Sequence, residues 1–269
     1  IDMDILEEII AHKQQELASY QRQISEKAIH QAIEPLLNKP QPSLKATLSN
    51  SSTGIIAEFK RKSPSKGWIN QHARANEVVT DYEKNGAAAI SILTDEAYFG
   101  GNESYIAETR KAGVKLPILY KNFIIDEYQL FQARYCGASA ILLIAAVLNK
   151  QQCKSLIHTA HEIGLEVLLE MHNERETEYA DLEPDVCGIN NRCLGTFITD
   201  VDTSLNLIHR LPQEVCKISE SGISNAETAH ILQAIGYNGF LIGENFMKQA
   251  QPGLALKRFI EDMSSSSIL

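Results

Sequence analysis

Charged side chains recur at the ends of short apolar segments of this sequence. Glu58 and Lys60 stand two positions apart at the end of the first segment, and they face the same way because side chains alternate along a strand. Later segments end in other polar or charged residues: Lys121, Glu170, Asn190 and Glu220. Such a group can supply both an acid and a base, because burial and a nearby ammonium lower the pKa of a lysine, whereas a nearby carboxylate raises it.

A structural interpretation of these residues competes with the catalytic one. A single Glu–Lys pair at the end of a strand is more often a structural ion pair than a catalytic one. Here, however, two lysines and three glutamates would meet at one opening, and burying so many charges costs several kcal/mol each unless they pair or bind something. Their convergence therefore favours a catalytic site.

The elements that would position these residues form a repeating series. Apolar segments rich in Ile, Val and Leu begin at Gly54, Ala88, Leu116, Ala140, Leu165, Val186, Val215 and Gly239. Their starts lie roughly 20 to 35 residues apart, which leaves room for a strand, a helix and two loops. Helical patterns lie between them at 76–85, 124–135, 150–163, 204–211 and 225–235. The glycines expected to end helices are Gly86, Gly113, Gly137, Gly164 and Gly236.

A strand–helix unit repeated eight times predicts an α/β fold of the (β/α)8 TIM-barrel class. The alternative, an open doubly wound sheet, should carry a G-x-G-x-x-G turn after a strand, and the sequence has none. Before the repeats, apolar residues at helical spacing predict one or two amphipathic helices, which end before Pro40 and Pro42. We expect a single domain, 1–269, with 1–48 as a helical extension.

Composition narrows the class of function. The chain has 269 residues, of which 44% are hydrophobic, enough for one large core. Its net charge of -9 argues against nucleic-acid binding, which draws on a surplus of Lys and Arg. No apolar run approaches the roughly 18 residues of a membrane span, and the start does not resemble a signal peptide. We therefore expect a cytoplasmic protein without a membrane partner.

Cysteine and histidine spacing gives no sign of a metal site. The five cysteines contain no C-x-x-C pair and are expected to be free thiols in a reducing compartment. The histidines include no H-E-x-x-H spacing. We therefore expect neither a disulfide framework nor a bound metal.

The last two strands carry a different signal, since they run into Ser221-Gly222 and Gly243-Glu244. Loops after strands seven and eight of such barrels frequently bind phosphate through backbone N–H groups and the N-terminus of a short helix. Either loop alone is equally well explained by ordinary turn glycines, but both together favour a phosphate site. The basic loop 61–67 is either a lid over an anionic substrate or a solvated loop. Phe99 is a candidate to pack on an aromatic substrate ring.

The segments that contain these residues resemble the indole-3-glycerol phosphate synthase family. The similar motifs lie at 56–67, 93–96, 98–101, 120–123, 169–172, 188–192 and 219–223. They follow the order of the family, and the resemblance covers nearly the whole chain, including the N-terminal helices. It implies ring closure of 1-(2-carboxyphenylamino)-1-deoxyribulose 5-phosphate, followed by loss of CO₂ and of water, with no metal or organic cofactor.

The resemblance also implies catalytic roles. Lys121 matches the general acid that protonates the substrate carbonyl, and Glu170 matches the carboxylate that moves protons at the ring intermediate and in dehydration. Lys60 matches a lysine near the substrate carboxylate and phosphate that is a second candidate for dehydration. Glu58 and Glu220 would orient the lysines and the substrate hydroxyls.

Other positions match substrate contacts of the family. Asn190 and Arg192 would hold the substrate, with Arg192 against its anthranilate part, and Ser63 would contact it from the first loop. The residues implied for phosphate binding, mainly through backbone N–H groups, are Ser221, Gly222, Gly243 and Glu244. The only partner implied is this phosphorylated small molecule, and the family is often monomeric.

Two positions depart from the family pattern. Cys193 follows Arg192 where an aspartate is usual, which affects what orients Asn190 and Arg192. Glu244 stands where a small residue is common, and we expect its side chain to turn away from phosphate while its N–H binds.

Two rival functions predict other residues. A phosphoribosylanthranilate isomerase would use a Cys/Asp acid–base pair, whereas the first strand here offers Glu58 and Lys60. An inactive barrel kept as a scaffold would have lost some of the lysines or carboxylates, and all are present.

Overall fold

Eight parallel strands close into a barrel in the computed structural model, which describes residues 5–265. Strands one to eight are Ile55–Phe59, Ala89–Leu93, Ile118–Lys121, Ala140–Ile144, Glu166–Met171, Val186–Asn190, Cys216–Glu220 and Gly239–Ile242. Each strand pairs with the next along the chain, and strand eight pairs with strand one. The predicted (β/α)8 barrel is confirmed. Residues 1–4 of the predicted extension and 266–269 lie outside the described residues.

Helices connect the strands and cover the outside of the barrel. The α-helices are α1 Ile5–Gln23, α2 Glu26–Ile33, α3 Leu44–Asn50, α4 Ala75–Lys84, α5 Glu96–Phe99, α6 Ser104–Lys111, α7 Tyr128–Cys136, α8 Lys150–Glu162, α9 Asp202–Leu207, α10 Ala226–Ala234, α11 Glu244–Met247 and α12 Pro252–Ser265. Short 3-10 helices cover Glu34–Leu36, Glu176–Leu182 and Ile208–Arg210. All five glycines predicted to end helices have φ between 75° and 117°, in the left-handed region where glycine is favoured.

In the described part of the N-terminal extension, two α-helices precede Pro40, as predicted, while the 3-10 turn after α2 and the helix α3 after Pro42 were not predicted. Capping residues divide the segment. The Ser25 hydroxyl accepts a hydrogen bond from Ala28 N at 3.2 Å, and Ser43 accepts one from Ala46 N at 2.9 Å, so each serine begins a new helix.

Two predicted helices also have different bounds. The one expected at 124–135 begins at Tyr128, because Asp126 and Gln129 accept hydrogen bonds from backbone N–H groups of residues 125–128 and hold them in a turn. The one expected at 204–211 starts earlier, at Asp202, and continues after Leu207 as a 3-10 turn.

The strands divide the apolar core into an inner and an outer part. Inside the barrel, Ile56, Leu142, Leu168 and Ile218 pack with other inward side chains, whereas outward strand residues pack against the helices. Leu44 and Leu48 of α3 are buried in the inner part. The Glu166 side chain, at the start of strand five, accepts a hydrogen bond from Lys45 N at 2.9 Å. Helix α3 therefore closes the amino end of the barrel, and the opposite end holds the inward-facing charges.

Buried polar contacts attach the extension to the barrel. Lys13 Nζ of α1 lies 2.8 Å from Asp95 Oδ2, and both side chains are almost fully buried. The Arg134 guanidinium of α7 donates to the carbonyl of Lys39 at 2.8 Å, and the Tyr128 hydroxyl donates to the carbonyl of Ile24 at 2.8 Å. Among residues 5–265, no helix combines the length and apolar character that a membrane span requires.

Candidate active site

Strands three, five and seven bring one lysine and two glutamates together at the carboxyl end of the barrel. Lys121 Nζ lies 2.7 Å from Glu220 Oε2 and 3.1 Å from Glu170 Oε2. The two glutamate side chains are 1% and 3% exposed, and the Lys121 side chain is 14% exposed. The ammonium is therefore the most exposed member of this group.

The two carboxyl groups around Lys121 have opposite pKa shifts. Burial raises the pKa of Glu220, and the nearby Glu170 carboxylate adds to this effect, although Lys121 opposes it. Burial also acts to raise the pKa of Glu170, but Lys121 and His172 outweigh it and hold this pKa well below its usual range. Burial alone would lower the pKa of Lys121, yet the surrounding glutamates raise it, so the side chain stays an ammonium at neutral pH.

Strand one supplies a second pair of charges at the same end. Lys60 Nζ lies 3.1 Å from Glu58 Oε1, and the Ser91 hydroxyl of strand two donates to Glu58 Oε2 at 3.2 Å. Two of the three carboxylates, Glu58 and Glu220, each have a glycine beside them where a side chain would not fit. A Cβ atom at Gly243 would lie 2.6 Å from Glu58 Oε1, and one at Gly188 would lie 2.3 Å from Glu220 Oε1.

A cleft of about 900 Å³ opens above these residues. The predicted site residues that line it are Glu58, Lys60, Ser63, Phe99, Lys121, Glu170, Asn190, Arg192, Glu220 and Ser221. Much of its remaining wall is apolar and includes Leu142, Ile144 and Phe123, whose ring centroid lies 6.1 Å from that of Phe99. The cleft thus has an apolar wall that fits an aromatic ring and a charged floor that fits proton transfer.

Several lining residues were missed at the sequence level. The largest omission is the start of α1, where Ile5, Leu6 and Ile9 line the cleft. The apolar spacing in this segment predicts a helix, but it does not indicate whether the apolar face of that helix packs on a core or lines a ligand site. Phe123 and Leu194 were also missed, although each lies within two residues of a predicted site residue.

A second cleft, of about 720 Å³, adjoins the first at the loops after strands seven and eight. The predicted phosphate residues Ser221, Gly222, Gly243 and Glu244 all line it. Ser221 and Gly222 have φ of 67° and 76°, and Gly243 directly precedes α11. Lys60 and Arg192 line both clefts, so cations lie where the two meet. We call this second cleft the anion cradle.

The expected orientation of Glu244 was wrong. Its side chain does not turn away from the cradle but lines it, with Oε1 at 2.7 Å from Lys66 Nζ and Oε2 at 3.9 Å from Arg192 Nη2. Burial acts to raise the pKa of Glu244, but Lys66, Lys60 and Arg192 outweigh it and lower this pKa. Pairing with these cations holds the carboxylate where an unpaired one would be repelled by phosphate.

The loop after strand one is folded over the cleft rather than solvated along its length. Residues Lys62–Ser63 and Gly67–Trp68 form an antiparallel hairpin, and Ser63 is buried against the cleft. Arg192 Nη1 donates a hydrogen bond to the Ser65 hydroxyl of this hairpin, at 3.3 Å. Asn190 Oδ1 also accepts from Arg192 N at 3.0 Å. These contacts orient Arg192, whereas the Cys193 that replaces the usual aspartate is exposed.

The described cysteines and acidic residues show no metal centre. All five cysteines are free thiols, and three of them are buried. Within residues 5–265, no group of three or more His, Cys, Asp or Glu side chains is arranged to hold a metal ion.

Fold and site together define a (β/α)8-barrel enzyme with a lysine–carboxylate array at the carboxyl ends of its strands. The sequence model of the indole-3-glycerol phosphate synthase family matches residues 6–259. The chain therefore belongs to the indole-3-glycerol phosphate synthase family. Membership makes it a carboxy-lyase of tryptophan biosynthesis.

Curated relatives match the chain over almost its full length. An indole-3-glycerol phosphate synthase of Bacteroides thetaiotaomicron is 50% identical over 258 residues, which cover 96% of this chain and 98% of that protein. One from Acidithiobacillus ferrooxidans is 41% identical over 263 residues, covering 96% of this chain and 99% of that protein.

Solved structures resemble the barrel at low sequence identity and therefore bear on the fold alone. A tryptophan synthase a2b2 complex from Pyrococcus furiosus contains a chain that matches with a TM-score of 0.60 at 15% identity, covering 79% of this chain and 98% of that one. The 3-hexulose-6-phosphate synthase from Salmonella typhimurium matches with a TM-score of 0.60 at 11% identity, covering 79% and 99%.

Proposed function

We propose that this chain converts 1-(2-carboxyphenylamino)-1-deoxyribulose 5-phosphate to indole-3-glycerol phosphate by ring closure, decarboxylation and dehydration. The observation that carries this proposal is the Lys121 ammonium, held between two buried carboxylates in a cleft that adjoins an anion cradle. This arrangement suits a substrate with an aromatic ring at one end and a phosphate at the other.

In this proposal the two clefts bind the two ends of the substrate. The phosphate enters the anion cradle and contacts backbone N–H groups of Ser221, Gly222, Gly243 and Glu244. The anthranilate ring lies on the apolar wall beside Phe99, with Arg192 and Asn190 against its polar groups. Lys60, which lines both clefts, balances the negative charge between them. Binding at both ends positions the reacting carbons, which contributes to catalysis in its own right.

Lys121 acts in ring closure as the general acid. The ring carbon that carries the carboxylate attacks the substrate ketone, a carbon–carbon bond forms, and the carbonyl electron pair moves onto oxygen. The ammonium donates a proton to this oxygen, which leaves an alcohol and a neutral amine. Proton donation to developing negative charge contributes typically about 10² to 10⁴-fold in rate.

Decarboxylation and dehydration then complete the indole. Breaking the carbon–carboxylate bond releases CO₂, and its electron pair restores the aromatic ring. The alcohol then leaves as water after protonation, and a base removes the proton that remains on the adjacent carbon. We assign removal of the carbon-bound proton to the ionised Glu170 and protonation of the leaving hydroxyl to Lys60, which pairs with Glu58 at the mouth; exchange with solvent then restores the proton that Lys121 gave up. Glu220 holds Lys121 in position from the other side.

The same chemistry bears on cofactor and cellular context. Ring closure, decarboxylation and dehydration involve no net oxidation or reduction, so the protein side chains suffice as acids and bases. We propose that the chain needs no metal or organic cofactor, binds only this phosphorylated small molecule, and works as a monomer in the cytoplasm.

Replacement of Lys121 tests the assigned role. We expect Lys121→Ala to lower kcat by at least about 10²-fold, the smaller end of the usual general-acid contribution, while a non-reactive substrate analogue still binds. Turnover is measured from CO₂ release, and analogue binding by calorimetry. Lys150→Ala serves as a matched control, since Lys150 pairs with Glu178 at 3.0 Å on the surface. Turnover near that of the parent chain in Lys121→Ala would exclude this mechanism.

A further inference from the structure

A histidine outside the cleft contacts the carboxylate assigned to proton transfer. His172 follows the last residue of strand five, and its side chain is 9% exposed. Nε2 of its ring lies 3.2 Å from Glu170 Oε1, on the carboxylate oxygen that does not contact Lys121. The two oxygens of Glu170 thus have separate cationic neighbours, one on the cleft side and one behind.

A second carboxylate holds this histidine from its other side. His172 Nδ1 lies 3.2 Å from Glu176 Oε2, and the same oxygen accepts a hydrogen bond from His172 N at 2.7 Å. Glu176 Oε1 accepts another from Asn173 Nδ2 at 2.6 Å. Asn173, in the turn before the 3-10 helix, therefore fixes Glu176, and Glu176 fixes the ring.

The ring nitrogens identify the form of the histidine. An ionised carboxylate only accepts hydrogen bonds, and each ring nitrogen of His172 faces one carboxylate. Nδ1 is hydrogen bonded to Glu176, whereas Nε2 lies at ion-pair distance from Glu170 Oε1 without hydrogen-bond geometry, so the contact with Glu170 is electrostatic and favours an imidazolium. Its pKa agrees: burial lowers it, but the contacts with Glu170 and Glu176 outweigh burial and raise it to about 10.

We infer that His172 is a positioning residue, which pins one oxygen of Glu170 so that the other remains aimed at Lys121 and the substrate. The inference rests on the proton-transfer role proposed for Glu170. His172 does not line either cleft, so it acts through Glu170 and not on the substrate. The contacts from Asn173 to Glu176 and from Glu176 to His172 thereby support Glu170 from the side opposite Lys121. Without it, the buried carboxylate loses one of its two cationic contacts and turns away from its working geometry.

Three variants test this support. In His172→Ala we expect kcat to fall on the order of 10²-fold, the effect of misplacing a catalytic group by about 1 Å, with KM changed by less than about threefold. His172→Gln keeps one N–H donor near Glu170 and should recover part of the lost kcat. Glu176→Gln removes the charge behind the ring and should lower kcat by about tenfold, or about 1.4 kcal/mol in the barrier. The matched control is His158→Ala, since His158 pairs with Glu162 at 3.4 Å on the surface of α8.

The outcomes separate this inference from the proposed function. Lys121→Ala is assayed beside the other variants. If Lys121→Ala is inactive while Glu176→Gln and both His172 variants keep kcat within twofold of the parent, the positioning role is wrong and the proposed function stands. If Lys121→Ala turns over normally, the proposed function fails first. A loss confined to kcat, with partial recovery in His172→Gln, supports the inference, whereas a rise in KM at unchanged kcat contradicts it. Should His172→Ala not fold, the other two variants decide the question by the same criteria.

Discussion

The proton affinities of Lys121 and Glu170 depend on each other. Glu170 has a lowered pKa chiefly because Lys121 is an ammonium 3.1 Å away and His172 adds a second contact. Such coupling is mutual. In the proposed ring closure Lys121 would give its proton to the substrate oxygen, which would remove one of the positive charges that keep Glu170 ionised and make Glu170 a stronger base at that step. A carboxylate that is a poor base in the empty site is thus suited to accept a proton during the reaction.

His172 should make the stability of the protein depend on pH. Its folded-state pKa, about 10, lies above the ordinary value of 6.5, so its contribution to stability is fully present below about pH 6.5 and is lost as pH rises through 10. We expect the free energy of unfolding of the parent chain to exceed that of His172→Gln most at pH 6, with the difference shrinking toward pH 10. Urea unfolding at several pH values measures it. A difference that grows with pH would contradict the assignment of an imidazolium.

The charged residues at strand ends were predictable, and the residues behind them were not. Alternation along a parallel strand places Glu58, Lys121 and Glu170 at the same end of the barrel once the fold is known. His172 lies beyond the strand, and its direction depends on Glu176, which belongs to an irregular 3-10 helix. Such local hydrogen bonding has no periodic sequence signal.

At the scale of elements, the hairpin after strand one and helix α11 are joined across the anion cradle. Lys66 of the hairpin pairs with Glu244 at the start of α11, at 2.7 Å. Phosphate in the cradle would meet both the cation and the carboxylate. Glu244 therefore holds the hairpin over the cradle and would oppose an anion bound there.

Glu244→Gln should strengthen phosphate binding. The substitution keeps the backbone N–H and removes the negative charge, which also frees Lys66 and Arg192 to contact the anion. We expect the Kd for inorganic phosphate to fall by about fivefold. This corresponds to about 1 kcal/mol, the repulsion between two like charges a few ångströms apart in a well-hydrated site. Calorimetry measures this Kd. Glu178→Gln, which removes a surface partner of Lys150, is the control and should leave it unchanged.

The opposite result would assign Glu244 another role. If Glu244→Gln binds phosphate more weakly than the parent chain, the carboxylate contributes mainly by placing Lys66 and Arg192. Repulsion of the anion would then be the smaller effect.

Element positions followed from the sequence more closely than element ends. The barrel strands begin within two residues of the predicted starts, because buried parallel strands are continuous apolar runs. Within the extension, Ser25 and Ser43 restart helices through single side-chain caps. A cap depends on one hydrogen bond, so an amphipathic pattern alone does not place it.

At the scale of the whole molecule, the extension and barrel form one structure. Helix α1 lines the active-site cleft with Ile5, Leu6 and Ile9, and it is tied to the loop after strand two by the buried Lys13–Asp95 pair. Asp95 also accepts a hydrogen bond from Tyr98 N at 2.8 Å and so caps α5, which carries Phe99. One ion pair therefore connects the extension to the apolar wall of the site.

Lys13→Met should destabilise the chain by about 3 to 5 kcal/mol, since it leaves the Asp95 charge buried without its cation. Adding Asp95→Asn should restore a large part of that loss, because the amide is neutral and its oxygen can still cap α5. Denaturant unfolding of both single variants and the double variant measures the coupling. Equal destabilisation by Lys13→Met with and without Asp95→Asn would mean that the two side chains do not interact in the way described.

In the proposed function, lysines and carboxylates of the barrel carry out the whole reaction without a metal. The most direct measurement incubates the purified chain with excess chelator and then with 1-(2-carboxyphenylamino)-1-deoxyribulose 5-phosphate, and follows CO₂ and indole formation together. We predict that both form in equal amounts, at a rate unchanged by the chelator. Loss of turnover on chelation that returns with added metal, or the absence of both products, would contradict the account.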